Sequence, residues 1–478
     1  MALPMEIVML ACCLFSVSFA VLLMMNSAHS MSYMDEIFHI PQAQRYCRYN
    51  FHEWDSMITT LPGMYLASFL IARVTVWINY LAMGSIDFCS VLWLRFHNLI
   101  YATGNFIVMY KLLEKFHCPL KNPKDRRNAQ LEAERDMIRI NSGVTAFIIS
   151  GFPLLYFFTF LYYTDQGSTF FTLLCYLFSL NMYHKTAAFI GIIAILFRQT
   201  NVIWVMFAAG VSIAQIYDAS FKVSAVQEKL ALSKDYRTYY DVFILITKRQ
   251  FRKIISISWP YIIVILAFII FVIVNGGIVV GDRNNHQPAL HIPQLWYFLS
   301  FSLFFAAPHL CRPSYVVSFF NDALEYWYLT LSGVVVMAFS VYKFTFVHTY
   351  LLADNRHYTF YVWRRLYNAH PSIPYLIIPM HLYTIYIVYK TLAEKRSNLW
   401  IAIFTVAVTL VTIPQRLLEF RYFILPYIIM RLNFPLMPYP FLLLEIFIYF
   451  AINYLTIFNF ISSPFVWLKS GEIQRFMW

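Results

Sequence analysis

Charge is scarce in this chain. Asp, Glu, Lys and Arg make up 13% of its 478 residues, about half of the ~25% usual for a soluble domain. So few charges cannot clothe a water-facing surface of this size, which excludes an ordinary soluble protein. Glycine is thin as well, at 13 residues. Neither GxGxxG nor a P-loop occurs, so the Gly-rich cradles for nucleotide phosphates are missing. There is no HExxH and no DxD pair, which removes a common zinc site and the usual means of holding a metal-bound nucleotide sugar. The seven cysteines, Cys12, Cys13, Cys47, Cys89, Cys118, Cys175 and Cys311, show no CxxC or metal spacing. Cys47 stands in a polar segment without an evident partner, and no disulfide scaffold is expected. No internal repeat of the transporter kind is visible. An enzyme with these absences would be expected to take its donor from lipid, without a nucleotide or a metal, and no cofactor is expected.

Apolar length is abundant. The chain is 60% hydrophobic and 19% aromatic. Runs such as Val144–Tyr163, Tyr261–Val280 and Phe441–Phe458, the last broken only by Glu445, approach the ~20 residues that span a bilayer. Roughly 11–13 such segments occur along residues 1–478, read as one polytopic domain. Backbone polar groups must pair internally in lipid, so the spans are helices and the expected class is all-α. Many Tyr and Trp lie near span ends, as interfacial anchors do. The first run, Met5–Met25, lacks a basic leader and is read as a retained signal anchor.

The formal charge of +12 does not point to nucleic acid. Basic residues concentrate in two loops, 114–139 (Lys115, Lys121, Lys124, Arg126, Arg127, Arg135, Arg139) and 218–256 (Lys222, Lys229, Lys234, Arg237, Lys248, Arg249, Arg252, Lys253). Short basic loops stay cytosolic. The loop 26–60 is poor in basic residues and falls on the other side, the lumen. An odd number of spans must join it to the basic loop at Glu114, yet two apolar segments intervene. Leu61–Met83 holds Pro62, Gly63, Arg73 and Asn79 and is the weaker span, expected to lie in the interface or to re-enter. Crossings at about Gln294–Pro308 and Trp327–Phe346 follow. Three loops then converge on the lumenal side: 26–60, Gly281–Pro293 and 348–371. Beyond Pro414 the parity leaves the C-terminal side open.

Each converging loop carries His with Asp or Glu. In Tyr33-Met34-Asp35-Glu36-Ile37-Phe38-His39 two carboxylates and a histidine stand at the edge of lipid, where ionisable groups are costly and mark function. One of the carboxylates is a candidate base for a substrate hydroxyl; a helix cap is the plain alternative. The segment 348–365 holds His348, Asp354, Arg356, His357, Tyr358, Arg364 and Arg365. Arg356 and His357 suit a phosphate through charge-assisted hydrogen bonds; an interfacial helix is the alternative. Gly281-Asp282-Arg283, with His286 and His291 beyond, reads as a polar turn, either part of a site or a connector. Arg198-Gln199-Thr200-Asn201 either marks a substrate path or ends a helix. Glu419 and Arg421 are expected to pair or to line a cavity.

Several of these stretches resemble one family. Asp35-Glu36-Ile37-Phe38-His39-Ile40-Pro41-Gln42, Trp54-Asp55-Ser56-Met57 through Gly63, Phe197-Arg198-Gln199-Thr200-Asn201, Val280-Gly281-Asp282-Arg283, Leu352-Ala353-Asp354-Asn355-Arg356-His357-Tyr358 and Leu418-Glu419-Phe420-Arg421-Tyr422 occur, in that order, in a pattern similar to the dolichyl-phosphate-glucose-dependent alpha-1,2-glucosyltransferases of the endoplasmic reticulum. The resemblance implies a GT-C type membrane fold with lumenal active-site loops. It implies dolichyl phosphate glucose as donor and the diglucosylated oligosaccharide on dolichyl diphosphate as acceptor. It also implies inversion, from a beta-linked donor to an alpha product. The family's acidic position in the first lumenal loop falls on Asp35 and Glu36. Asp35 is the expected base and Glu36 the alternative; Arg356 and His357, with Arg364 in reserve, are expected to face the leaving phosphate. Trp54 and Tyr358 are candidates to stack on sugar rings. His39, Asp282, His348, Asp354, Glu419 and Arg421 complete the expected substrate site. A transporter, a channel or an inactive scaffold are the competing readings.

Overall fold

A computed structural model describes residues 3–81, 87–118, 129–223, 236–283, 285, 287–467 and 471–478. Lys121, Lys124, Arg126, Arg127, Lys229, Lys234 and His286 of the expected loops lie outside these. The regular structure of the described chain is almost wholly helical, with one two-residue antiparallel pairing of Phe465–Val466 with Ile473–Gln474. Six described helices are long and apolar enough to cross a membrane alone: Met5–Ala28, Asn201–Phe221, Arg237–Asn275, Trp327–Phe344, Ile373–Ala393 and Tyr439–Ser462. Other expected segments are shorter or more polar helices packed among these. The architecture is an all-α polytopic membrane protein.

The first ten described helices are α1 (Met5–Ala28), α2 (Glu36–Cys47), α3 (Gly63–Leu81), α4 (Val91–His117), α5 (Ala129–Ser150), α6 (Pro153–Phe157), α7 (Asp165–Leu180), α8 (His184–Phe197), α9 (Asn201–Phe221) and α10 (Tyr236–Asn275). Two expectations fail here. The second basic loop is in large part helix, because α10 runs unbroken from residue 236 through Lys248–Lys253 into the apolar run. The run Val144–Tyr163 is no single span: α5 ends at Ser150, and Pro153 opens the five-residue α6. Proline lacks the N–H needed to continue the α5 ladder. Residues 158–164 are buried non-helical backbone, which needs partners at this depth. Asn98 supplies them, donating to the carbonyls of Leu161 (2.6 Å) and Tyr163 (3.0 Å). Gln166 donates to Leu155 O at 2.9 Å and Thr159 Oγ1 at 2.6 Å.

The expected lack of a disulfide also fails. Cys47, at the end of α2, is bonded to Cys89, just before α4. Sequence spacing hid the pair, because α3 lies between them. Arg73, midway along α3, donates to Cys47 O at 3.1 Å, and Ala72 packs against Phe88 and Cys89. Both flanks of α3 are thus tied together at mid-helix.

The bundle has two chemically distinct ends. At one, Lys115 meets Asn181, Arg139 meets Glu114, and the Arg396 guanidinium stacks on Phe116 at 4.0 Å. At the other, Arg475 gathers the ends of α1 and of helix Tyr439–Ser462, donating to Ala28 O (2.7 Å) and Ile461 O (2.9 Å). The convergent loops lie at this second end.

Candidate active site

Asp35 stands at the turn into α2. Met34 takes a left-handed conformation (φ 55°), and the Asp35 backbone N–H donates to Tyr163 Oη at 3.1 Å. The carboxylate makes no capping hydrogen bond, so the capping alternative is set aside. Its Oδ2 lies 3.3 Å from Arg421 Nη2, and 43% of its side chain stays exposed. The low-dielectric surroundings work to raise the Asp35 carboxyl. Arg421 above all, then His39 and His357, overcome this and hold it below the usual carboxylate range. It is an ionised acceptor open to a substrate.

Glu36, adjacent in sequence, has a different role, and its place as alternative base is corrected. It is fully buried and bonded bidentately to buried Arg95 of α4, at 2.9 Å (Nε to Oε1) and 2.6 Å (Nη2 to Oε2). Backbone N–H groups of Tyr162 (2.6 Å) and Tyr33 (3.0 Å) donate to the same carboxylate. No oxygen is left for a substrate proton. Together with the Cys47–Cys89 bond at the other end of α2, this clamp fixes the helix that presents Asp35.

Arg421 is the hub. It pairs with Glu419 through a very short contact, reaches Asp165 Oδ2 at 3.9 Å, and lies over the rings of Tyr163 (5.1 Å) and Phe158 (5.3 Å). Asp165 opens α7 and also takes Arg198 Nη1 at 3.0 Å. The Arg198–Asn201 stretch therefore both ends α8 and joins the charge cluster. His39 Nδ1 meets Tyr65 Oη at 2.6 Å. Burial, opposed by Asp35, carries its pKa down to about 4, so the ring is neutral at pH 7.

The turn 354–358 is a second charged group, close enough for His357 to act on Asp35. Asp354 accepts Arg356 Nε and Nη2, both at 2.8 Å, and His357 Nε2 lies 3.7 Å away. Arg356 Nη1 donates to Gln474 Oε1 at 3.2 Å, and its guanidinium covers Trp467 at 4.5 Å. The Asp354 carboxyl is raised by burial but lowered further by Arg356 and His357, ending below its ordinary range. The segment 474–478 buttresses this turn. Met477 N donates to Arg356 O (2.9 Å), Tyr358 N to Met477 O (3.0 Å), and His357 Nδ1 lies 2.8 Å from Trp478 O. Arg475 N donates to Tyr33 Oη at 2.9 Å, linking the same segment to the Asp35 loop.

Other expected residues have partners of their own. Asp282 (φ 41°) donates its N–H to Ser56 O at 3.0 Å and accepts Asn285 Nδ2 at 2.7 Å, docking its loop on the first one. Gly281 permits that approach: an added Cβ would stand 2.2 Å from Ser56 O. His348 Nδ1 caps Tyr350 N at 3.1 Å. Trp54 packs edge-on to Tyr65 at 5.7 Å, and Tyr358 packs on Trp478 at 5.1 Å. Each aromatic thus has a protein partner. Arg364 is exposed on a π-helical turn, its guanidinium 5.8 Å from the Phe360 ring, and its reserve role as a phosphate ligand is dropped.

The sequence reading overlooked Asp165, Tyr163, Arg95 and the C-terminal segment. Asp165 did carry a signal, as a lone acid between apolar runs. The others become legible only through contacts across 59 to 442 positions.

The DIE2/ALG10 family model matches residues 29–432. The chain is 43% identical to a protein of Rattus norvegicus named Dol-P-Glc:Glc(2)Man(9)GlcNAc(2)-PP-Dol alpha-1,2-glucosyltransferase, over 98% of this chain and 97% of the relative. Proteins of the same name from Homo sapiens and Arabidopsis thaliana are 42% identical (98% and 97% covered) and 33% identical (93% and 94% covered).

Proposed function

The chain belongs to the DIE2/ALG10 family, and from that premise we propose that it transfers glucose from dolichyl phosphate glucose to the 2-hydroxyl of the terminal glucose of Glc2Man9GlcNAc2-PP-dolichol, with Asp35 as base. It is a glycosyltransferase of the alpha-1,2 type, and a transporter or an inert scaffold is not favoured. The observation that carries the chemical assignment is the half-exposed Asp35 carboxylate, kept ionised by Arg421.

The acceptor oxygen attacks C1 of the donor glucose. The bond from C1 to the phosphate oxygen breaks, and its electron pair stays with the phosphate. The acceptor proton passes to Asp35. Dolichyl phosphate leaves with one more negative charge, so fixed cations nearby favour the transition state. Arg356 is oriented for this by Asp354, Gln474 and Trp467. Three of its five N–H groups are engaged there, leaving one on each terminal nitrogen for phosphate oxygens. His357 Nε2 lies beside them.

The reaction takes place on the lumenal side of the endoplasmic reticulum membrane. Two features support this placement. The Cys47–Cys89 bond adjoins the Asp35 loop, and disulfides persist in oxidising compartments. Lys115, Arg139 and Arg396 lie at the opposite end, which faces the cytosol in this reading. The test is transfer by purified protein from dolichyl phosphate glucose to the diglucosylated acceptor, with chelator present. An alpha-1,2-linked third glucose is expected; its absence with folded protein would refute the reading.

A further inference from the structure

A cleft of about 480 Å³ lies where helix Ala307–Leu310 and the start of helix Pro313–Glu325 meet helix Tyr439–Ser462. That is within the ~300–1,000 Å³ of small-molecule sites. Contacts on both sides place it toward the cytosolic end of the bundle. Tyr315 Oη donates to Glu394 Oε1 at 3.3 Å, close in sequence to the Arg396 that covers Phe116. Met437, just before helix Tyr439–Ser462, accepts Asn141 Nδ2 of α5 at 3.2 Å through its carbonyl. The far end of that helix is the one held by Arg475.

The lining is apolar apart from one cation. Phe441, Leu444 and Ile448 stand three and four positions apart and share a helix face; Ala307 and Pro308 add to it. Leu444 is 49% exposed, and Leu443 and Phe447 beside it are exposed as well. The cleft therefore opens outward, along a helix apolar enough to cross the membrane. Arg312 is the cation, and no carboxylate lines the cleft. Its guanidinium lies 5.0 Å from the ring centroids of both Tyr315 and Phe441. Nη2 meets only the Met437 thioether, at 2.7 Å, and Nε is buried without an acceptor. Arg312 thus has no carboxylate partner among the described residues. Carboxylates of the region are engaged elsewhere: Glu445 takes Arg431 (2.7 Å) and His309 (2.8 Å), and Glu394 takes Tyr315. An unpaired cation at the membrane edge is costly unless an anion completes it.

We propose that this cleft holds an anionic glycerophospholipid of the cytosolic leaflet, with its phosphodiester on Arg312 and an acyl chain along Phe441, Leu444 and Ile448. The order of contacts fits such a lipid. Arg312 touches Met437 and Phe441, at the cytosolic start of the helix, while Ile448 lies about 10 Å deeper along it. Basic pockets between membrane helices on the cytosolic side suit anionic head groups. One guanidinium balances the single charge of a phosphodiester; a polyprenyl phosphate monoester, at about −1.5 to −2, matches it less well. Inside the wall, His309 and Glu445 join the same two elements. A lipid seated outside would reinforce that joint and raise the melting temperature by binding the folded state. The site is separate from the transfer chemistry at the lumenal end.

The test titrates the full chain, delipidated in detergent, with phosphatidylinositol, phosphatidylcholine or dolichyl phosphate. Bound lipid is counted by native mass spectrometry, and melting is recorded on the same samples. The intact protein should prefer phosphatidylinositol and melt higher with it. Arg312→Gln should lower the affinity for phosphatidylinositol roughly 5- to 10-fold and that for phosphatidylcholine less. Leu444→Trp, at a half-exposed position, should fill the cleft and weaken both. Equal affinity of the intact protein for phosphatidylinositol and phosphatidylcholine, or an unchanged preference in Arg312→Gln, would overturn the site. Tighter binding of dolichyl phosphate, lost in Arg312→Gln, would overturn the assignment to a phosphodiester lipid. If Arg312→Gln fails to fold, Leu444→Trp decides, and parent-like affinity in that variant would overturn the proposal. Glucose transfer is not the readout, so none of these outcomes depends on the transferase reading.

Discussion

Replacing Glu36 by Gln separates the two adjacent carboxylates. Four donors converge on the Glu36 oxygens, and Glu36 and Arg95 are 0% and 1% exposed. Solvent screening, which reduces surface pairs to ~0–1 kcal/mol, does not apply here. Removing the charge leaves the Arg95 guanidinium buried without its counter-ion, a loss of about 3–5 kcal/mol. The amide also turns an N–H₂ toward groups that themselves donate. Thermal unfolding of the purified protein in detergent should therefore drop by several degrees. Transfer per folded molecule should fall far less than in Asp35→Asn. In Glu36→Met/Arg95→Met part of the stability should return, since no charge is then stranded. Recovery stays partial because Arg95 also donates to Asn26 Oδ1 (3.0 Å), His29 O (2.8 Å) and Met31 O (2.8 Å). A Glu36→Gln protein with unchanged melting and abolished transfer would refute the reasoning and make Glu36 a chemical participant.

Two further predictions follow from the same contacts. Asp35 must be ionised to act, and its carboxyl is depressed chiefly by Arg421 against the opposing effect of burial. Activity is thus lost as pH falls through that lowered pKa, and Arg421→Gln should move the acid limb of kcat/KM to higher pH; a pH profile with an unmoved limb would count against it. The Cys47–Cys89 bond closes a separation of 42 residues, for which loop-closure entropy gives about 4 kcal/mol. Cys47→Ser or reductant should accordingly lower the melting temperature, measured beside the untreated protein; equal melting would mean the bond does not constrain the chain.

The sequence makes the class of the protein legible and leaves the division of labour dark. Helical spans follow from apolar length, and their existence needs no tertiary information. Their bounds are harder: one apolar run hides the break at Gly151-Phe152-Pro153, while another, Tyr261–Val280, overruns the end of a 40-residue helix that starts at Tyr236 and stops at Asn275. At the site, ionisable residues at the lipid edge single out Asp35, Glu36, Asp354, Arg356, Glu419 and Arg421. Which of two neighbouring carboxylates is free cannot be read locally, because Arg95, 59 positions from Glu36, decides it. The buttress at 474–478 and the Cys89 partner of Cys47 are likewise products of folding. Polar residues on the 348–371 loop divide for the same reason: 354–358 is drawn to the site by the C-terminal segment, while Arg364 is turned outward.

The central claim is that Asp35 takes the acceptor proton. The direct measurement is glucose transfer by Asp35→Asn, with melting recorded on the same preparation. Asn keeps the size of the side chain and removes its basicity, and the half-exposed position makes a large stability change unexpected. The account predicts parent-like melting and transfer reduced by at least the ~10²–10⁴-fold typical of a lost general base. Near-parent transfer by the folded variant would contradict it.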